Sequence, residues 1–229
     1  SRIVSTGATL SSEIKSALIE RATQAVVMDM IGASEGGPFA VAMTMPGQDP
    51  VATAAFMATP NTSLFDPQTW EKIPFGSGRN GVLAAAGAMP DGYFGDAEKT
   101  AQTFRVIEGV RYTIPGDFAE IDEDGTVHLL GRGSVCINTG GEKVYPEEVE
   151  VAARSHPNVV DCVVVGLPDT RFGEIITLVA ERSGEISETE VIDHVKKLLA
   201  TYKAPRRVIF VDQVYRSPSG KADYRWAKE

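Results

Sequence analysis

Turn signals fall so often between residues 40 and 130 that no long helix fits there: Pro46-Gly47, Asp66-Pro67, Gly76-Ser77-Gly78, Pro90-Asp91-Gly92, Pro115-Gly116-Asp117 and Asp122-Glu123-Asp124-Gly125. Between them lie short strand-like runs, GVLAAAG, RYTIP, DFAEID and TVHLLG. Short strands with frequent turns predict a small β-barrel or a twisted antiparallel sheet. DEDG predicts a tight hairpin between the last two runs. Upstream, residues 11–24 predict an amphipathic helix, with Ile14, Leu18 and Ala22 spaced by four and Ser11 or Ser12 as its cap. AVVMDM (25–30) predicts a buried strand that runs into a glycine-rich loop, IGASEGGP.

The pattern changes again after Gly131-Arg132-Gly133-Ser134. PEEVEVAARS (146–155) predicts a helix with Pro146 at its first position and acids near its positive end. VVDCVVVG, EIITLVAE and RVIFVD predict strands, and Ser187 with Glu190 forms a capping box for a helix reaching Leu199. YRSPSGKADYR (215–225) reads as a polar loop and tail. The expected class is therefore α/β plus α+β. Residues 1–132 form one domain, with a β-barrel subdomain at about 40–130, and 133–229 form a compact α+β domain of roughly a hundred residues.

Composition narrows the function. Of 229 residues, Lys and Arg supply 22 and Asp and Glu 31, a net charge of −9. That balance argues against a protein gripping nucleic acid by its phosphates. No apolar stretch is long enough to span a bilayer. Cys136 and Cys162 sit inside apolar runs, and with no signal peptide the expected location is cytoplasmic. His128, His156 and His194 are scattered without ligand spacing. The chain opens on Ser in mid-pattern, which reads as part of a longer protein; homo-oligomerisation is left open.

Six segments in order carry a resemblance: STGATL (5–10), IGASEGG (31–37), GYFGDAEKT (92–100), PGDFAEIDEDG (115–125), LLGRGSVCINTGGEKVYPEEVE (130–150 with its preceding Leu129 neighbour) and SPSGKADY (217–224). Together they resemble the C-terminal portion of the adenylate-forming superfamily, specifically the acyl-CoA synthetases. The resemblance implies two steps. ATP and a carboxylic acid give an acyl-adenylate and pyrophosphate; CoA thiol then takes the acyl group and AMP leaves. It implies ATP, Mg²⁺ and CoA as cofactor and co-substrates. It also implies a small mobile C-terminal domain hinged at Gly131-Arg132, with Gly133 and Ser134 as hinge residues.

Site residues follow by the same resemblance. Lys221 is the catalytic lysine, a long flexible cation able to reach the acyl carboxylate and the α-phosphate. Glu35 is the catalytic and Mg²⁺-binding acid, with Ser34 on phosphate. Thr6, Gly7, Ala8, Ile31 and Gly32 line the nucleotide pocket, Ile31 replacing the family's aromatic residue. Asp117 binds the ribose hydroxyls and Arg132 contacts ribose or phosphate. Asn138, Thr139, Gly140 and Gly141 line the pantetheine tunnel. Ser134 stands where the family usually has Asp or Lys. The family's main phosphate loop, which ends in Pro-Lys, has no counterpart in this sequence. The expected partners are the acid, ATP, CoA and the N-terminal part of the same protein, and the chain alone is expected to be inactive. A non-catalytic nucleotide- or CoA-binding module, an aryl-CoA ligase and a peptide-synthetase adenylation domain are the competing readings.

Overall fold

The structure is a computed structural model. It describes every residue except 8–9, 11, 49–54 and 219, with Ser12, Glu13 and Ala55 described by backbone alone. The chain divides into two compact units, Ser1–Leu129 and Leu130–Glu229.

The first unit opens with β1 (Arg2–Thr6), α1 (Ser12–Arg21), β2 (Val26–Ala33), β3 (Gly36–Thr44), β4 (Ala55–Ala58), β5 (Thr62–Phe65) and β6 (Gly81–Ala86). It continues with α2 (Ala97–Thr103), β7 (Phe104–Ile107), β8 (Val110–Thr113), β9 (Asp117–Ile121) and β10 (Thr126–Arg132), whose last residues cross into the second unit. All ten strands belong to one sheet, ordered β1-β2-β3-β4-β10-β9-β6-β8-β7 with β5 on β6. The expected barrel is not closed among the described residues: the path ends at β1 on one side and β7 on the other. The sheet runs on through residue 40. β2 turns at Ser34-Glu35 directly into antiparallel β3, and the far edge of β3 takes β4, so both stretches share one set of ladders. The expected glycine loop is thus the tip of a hairpin, and Ile31 and Gly32 lie in strand β2.

The α1 pattern is also corrected. Ile14 is 51% exposed, whereas Lys15 is 1% exposed. Lys15 Nζ lies 3.1 Å from Asp29 Oδ2 on β2, and that carboxyl is equally buried. A buried acid on the sheet recruits a lysine of the helix, which overrides the apolar spacing.

The second unit contains β11 (Ile137–Thr139), β12 (Glu142–Val144), α3 (Pro146–Arg154), β13 (Val159–Asp169), β14 (Gly173–Arg182), α4 (Glu188–Leu198), β15 (Arg207–Val211) and α5 (Tyr224–Lys228). Its sheet runs β12-β11-β14-β13, with β15 parallel to β14. Successive residues of β13 point to opposite faces. Cys162 and Val164 pack in one core with Val149 of α3 and Val191 of α4. Val163 and Val165 pack on the other face with Val214 and Trp226. Burial on both faces explains why VVDCVVVG reads as an unbroken apolar run. β13 is an edge strand, and buried Glu150 covers that edge: its Oε1 accepts from Val164 N at 3.0 Å. The polar tail does not stay irregular; it ends in α5, capped by the Asp223 carboxylate.

Candidate functional site

Glu35 sits at the β2–β3 turn, where three neighbours fix it. Tyr93 donates its phenol hydrogen to Glu35 Oε1. Ser34 Oγ donates to Oε2 at 2.9 Å. Thr113 Oγ1, fully buried on β8, donates to the Glu35 carbonyl at 2.9 Å. Gly36 is required beside it: a Cβ there would fall 2.8 Å from Thr113 Oγ1, and its φ is +152°. The Tyr93 hydrogen bond, more than any other influence, holds the Glu35 carboxyl below its ordinary range; burial opposes this, and Ser34 and Lys99 add to it. The result is an ionised carboxylate with lone pairs to spare and a hydroxyl beside it. Those donors suit a hard cation such as Mg²⁺ that takes most of its ligands from phosphate and water. Among the described residues no cluster of three or more His, Cys, Asp or Glu could hold a metal by itself. Replacing Tyr93 with Phe is expected to raise the Glu35 carboxyl toward the ordinary carboxylate value, read as an upfield-to-downfield midpoint shift in a carboxyl carbon NMR titration of the metal-free chain.

Among the other nucleotide candidates of this unit, Thr6 and Gly32 meet in the sheet. Thr6 Oγ1 donates to the Met30 carbonyl at 3.2 Å, next to Gly32, whose ideal Cβ position lies 3.8 Å from that hydroxyl. Gly7 has φ +84° and is exposed; Ala8 lies outside the described residues. Ile31 is 8% exposed and belongs to the apolar core. Asp117 begins β9, four residues after Thr113 and directly after Gly116, whose φ is +94°.

In the second unit, Gly133 and Ser134 form a short 3-10 turn after Arg132. Asn138 and Thr139 lie in β11, and Gly140-Gly141 is the two-residue hairpin turn to β12, with Thr139 opposite Glu142. Both glycines have positive φ, +61° and +90°, as a type I′ hairpin demands. The Phe172 carbonyl accepts from Gly140 N at 2.9 Å. Asn138 N donates to Glu174 Oε2 at 2.9 Å.

Lys221 is exposed on a tight turn: Gly220 N donates to the Ser217 carbonyl at 2.8 Å and Ser217 N to the Lys221 carbonyl at 2.9 Å. Arg216 bolts the base of this turn to β13. Its Nε and Nη2 each reach an Asp161 carboxylate oxygen at 2.6 Å. Burial would raise the Asp161 carboxyl, but Arg216 overrides it and holds the group below its ordinary range. Tyr93, Thr113, Glu147, Arg216 and Tyr224 are not singled out by the sequence. The motif GYFGDAEKT contains Tyr93, but only the fold brings that residue to Glu35, 58 positions away.

Residues 148–221 match the C-terminal domain of AMP-binding enzymes. Over 99% of its length the chain is 48% identical to the medium/long-chain-fatty-acid–CoA/3-oxocholest-4-en-26-oate–CoA ligase of Mycobacterium tuberculosis, and covers 42% of it. It is 48% identical to the medium-chain acyl-CoA ligase Mig of Mycobacterium avium over 97% of the chain and 40% of that relative. ATP-bound MatB from Rhodopseudomonas palustris superimposes with a TM-score of 0.79 at 31% identity, over 98% of this chain and 44% of MatB. Residues 148–221 thus carry the C-terminal domain of AMP-binding enzymes, and the chain is similar along its length to acyl-CoA ligases. It spans less than half the length of the curated relatives it matches.

Proposed function

We propose that the full-length protein is an ATP-dependent acyl-CoA ligase that activates a fatty acid as acyl-adenylate and passes it to CoA. The observation that carries this reading is the 48% identity, along essentially the whole chain, to a relative named as a medium/long-chain fatty-acid–CoA ligase. In this reading residues 1–132 end the large AMP-binding domain and 133–229 are the small mobile domain. The enzyme works in the cytoplasm.

The chemistry sets what the residues do. A carboxylate oxygen attacks the α-phosphorus while the α–β phosphoanhydride breaks, so two anions must approach each other. The Lys221 ammonium contacts both and offsets their repulsion. Asp117 accepts from the ribose hydroxyls, and Arg132 binds ribose or phosphate. Thr6, Gly7, Ala8, Ile31, Gly32 and Ser34 border the nucleotide. Glu35 holds Mg²⁺, which when bound neutralises phosphate charge. In the second step the thiol loses its proton, attacks the acyl carbon and expels AMP; Asn138, Thr139, Gly140 and Gly141 flank the pantetheine arm, whose close approach the two glycines permit. Gly133 and Ser134 absorb the backbone change between the steps.

A sterol side-chain acid is a second substrate reading. It is favoured by the 44% identity to a relative named 3-oxocholest-4-en-26-oate–CoA ligase from Rhodococcus rhodochrous. The test is AMP release by the full-length protein with ATP, Mg²⁺, CoA and either dodecanoate or the sterol acid. AMP formation with neither acid sinks the ligase reading. This chain alone is expected to release no pyrophosphate with the same acids.

A further inference from the structure

Glu147 has no part in the chemistry above, yet its carboxyl lies where two of the proposed functional segments meet. It is the second residue of α3. Its Oε1 accepts from the Tyr224 phenol at 3.3 Å. Its Oε2 is sealed from solvent and, among the described residues, has no hydrogen-bond partner. Facing it is Gly131: an ideal Cβ there would fall 2.0 Å from Oε2 and 2.5 Å from Cδ. The carboxyl therefore occupies the room that any side chain at position 131 would take. Gly131 also has φ +130°, a backbone conformation that itself calls for glycine. The backbone amide of Arg132 favours the ionised form of the same carboxyl.

We propose that Glu147 is a positioning residue that ties the Gly131-Arg132 segment to the C-terminal segment carrying Lys221, through Tyr224. The geometry makes one side chain a shared anchor for residues about ninety positions apart in sequence. Tyr224 follows Lys221 by three residues and packs, with Trp226, against Val163 and Val165. A displacement of the Glu147 carboxyl is thus felt at Arg132 and at the base of the Lys221 turn together. The functional weight of this anchor rests on the reading that Arg132 and Lys221 serve adenylation.

The charge on Glu147 tunes the anchor. Burial pushes its carboxyl up to about 7, with nearby Glu150 adding to the rise and the Arg132 amide and Tyr224 opposing it. Because burial outweighs those hydrogen bonds, the closed site holds the neutral carboxyl better than the ionised one. The ionisable side chains that act on it are Glu150 on α3 and Tyr224 on α5; Arg154 of α3 and Arg216 act on Glu150 in turn. Glu150 is also pushed up by burial, so the experiment must separate the two acids.

Hydrogen exchange read by mass spectrometry on this chain does so. In Glu147→Ala, exchange of the segments 130–135 and 222–226 is expected to speed up about fivefold at pH 6, where the carboxyl is mostly neutral and its hydrogen bonding is lost. Val163–Val165 should exchange as before. In the unaltered chain, protection of 130–135 should fall between pH 6 and pH 8, because a carboxyl raised in the closed structure holds its proton more tightly there than when opened; in Glu147→Gln it should be flat. Unchanged exchange at either segment overturns the anchor, as does a loss spread equally over β13. A pH dependence that survives Glu147→Gln belongs to Glu150 and overturns the role of the Glu147 charge. In the full-length protein, Glu147→Ala should lower kcat for adenylation several-fold; faster exchange with unchanged kcat would leave the anchor standing and refute the assignment of Arg132 and Lys221 to adenylation.

Discussion

Lys221→Ala in the full-length protein is expected to slow acyl-adenylate formation by about 10²–10³-fold, the usual loss when one preorganised charge donor to a transition state is removed. Thioester formation from supplied acyl-adenylate should change by no more than a few-fold. The asymmetry follows from the chemistry. Adenylation forces a carboxylate onto a phosphate, and the ammonium is needed while those charges are pressed together. The thiol step attacks a carbonyl already activated by AMP. The turn that carries Lys221 supports the split: Ser217 and Gly220 close it by backbone hydrogen bonds, and Arg216 fixes its base on Asp161. Removing the Lys221 side chain leaves those bonds in place, so the loss is one of charge and reach, not of fold. Pyrophosphate exchange measures the first step and CoA-dependent AMP release from synthetic acyl-adenylate the second. Equal losses in both would refute a lysine that serves adenylation alone.

How much of this was legible in sequence differs between the two units. In the second unit the signals are local. Pro146 with its acids, the Ser187–Glu190 box and the apolar run of β13 each specify an element from within a few residues, and each element forms where expected. The first unit is decided by pairing over distance. β7 was not expected as a strand, and β3 was hidden because IGASEGGP reads as a loop until β2 and β3 are seen to pair across it. The continuity of the sheet is also something no local pattern states: β4 joins β3 to β10, so the hairpin at Glu35 is part of the same sheet as the strands that follow. The proposed site shows the same division. Gly140-Gly141 is a local turn signal, although the short strand β12 that it leads into is not marked in the sequence. The partners that set the state of a functional group have no local signal, because Tyr93 meets Glu35 across 58 residues and Tyr224 meets Glu147 across 77.

The sharpest test of the first unit is the buried pair that displaced the apolar stripe of α1. Lys15→Met is expected to cost about 3–5 kcal/mol, because it leaves the Asp29 carboxyl buried without its counter-charge. The side chains of Lys15 and Asp29 are 1% and 3% exposed, so water cannot take over from the lost partner. Burial already raises the Asp29 carboxyl above its ordinary range, with Lys15 opposing that rise. Removing Lys15 should raise it further. The sign of the pH effect follows. A carboxyl raised in the folded state binds more protons there than in the unfolded chain, so the Lys15→Met protein should gain stability as pH falls from neutrality toward the unfolded carboxylate value, near 4. The double change Lys15→Met with Asp29→Leu should recover most of the loss, since apolar groups of similar size need no counter-charge in the site beside Phe56. Native-state hydrogen exchange at the fully buried Leu83 reports the unfolding free energy of this unit separately from the second. A single-variant cost below about 1 kcal/mol would place the pair among surface ion pairs in energetic terms. No recovery in the double variant would mean that the pair fixes the docking of α1 on β2 by its geometry and not only by its charge balance.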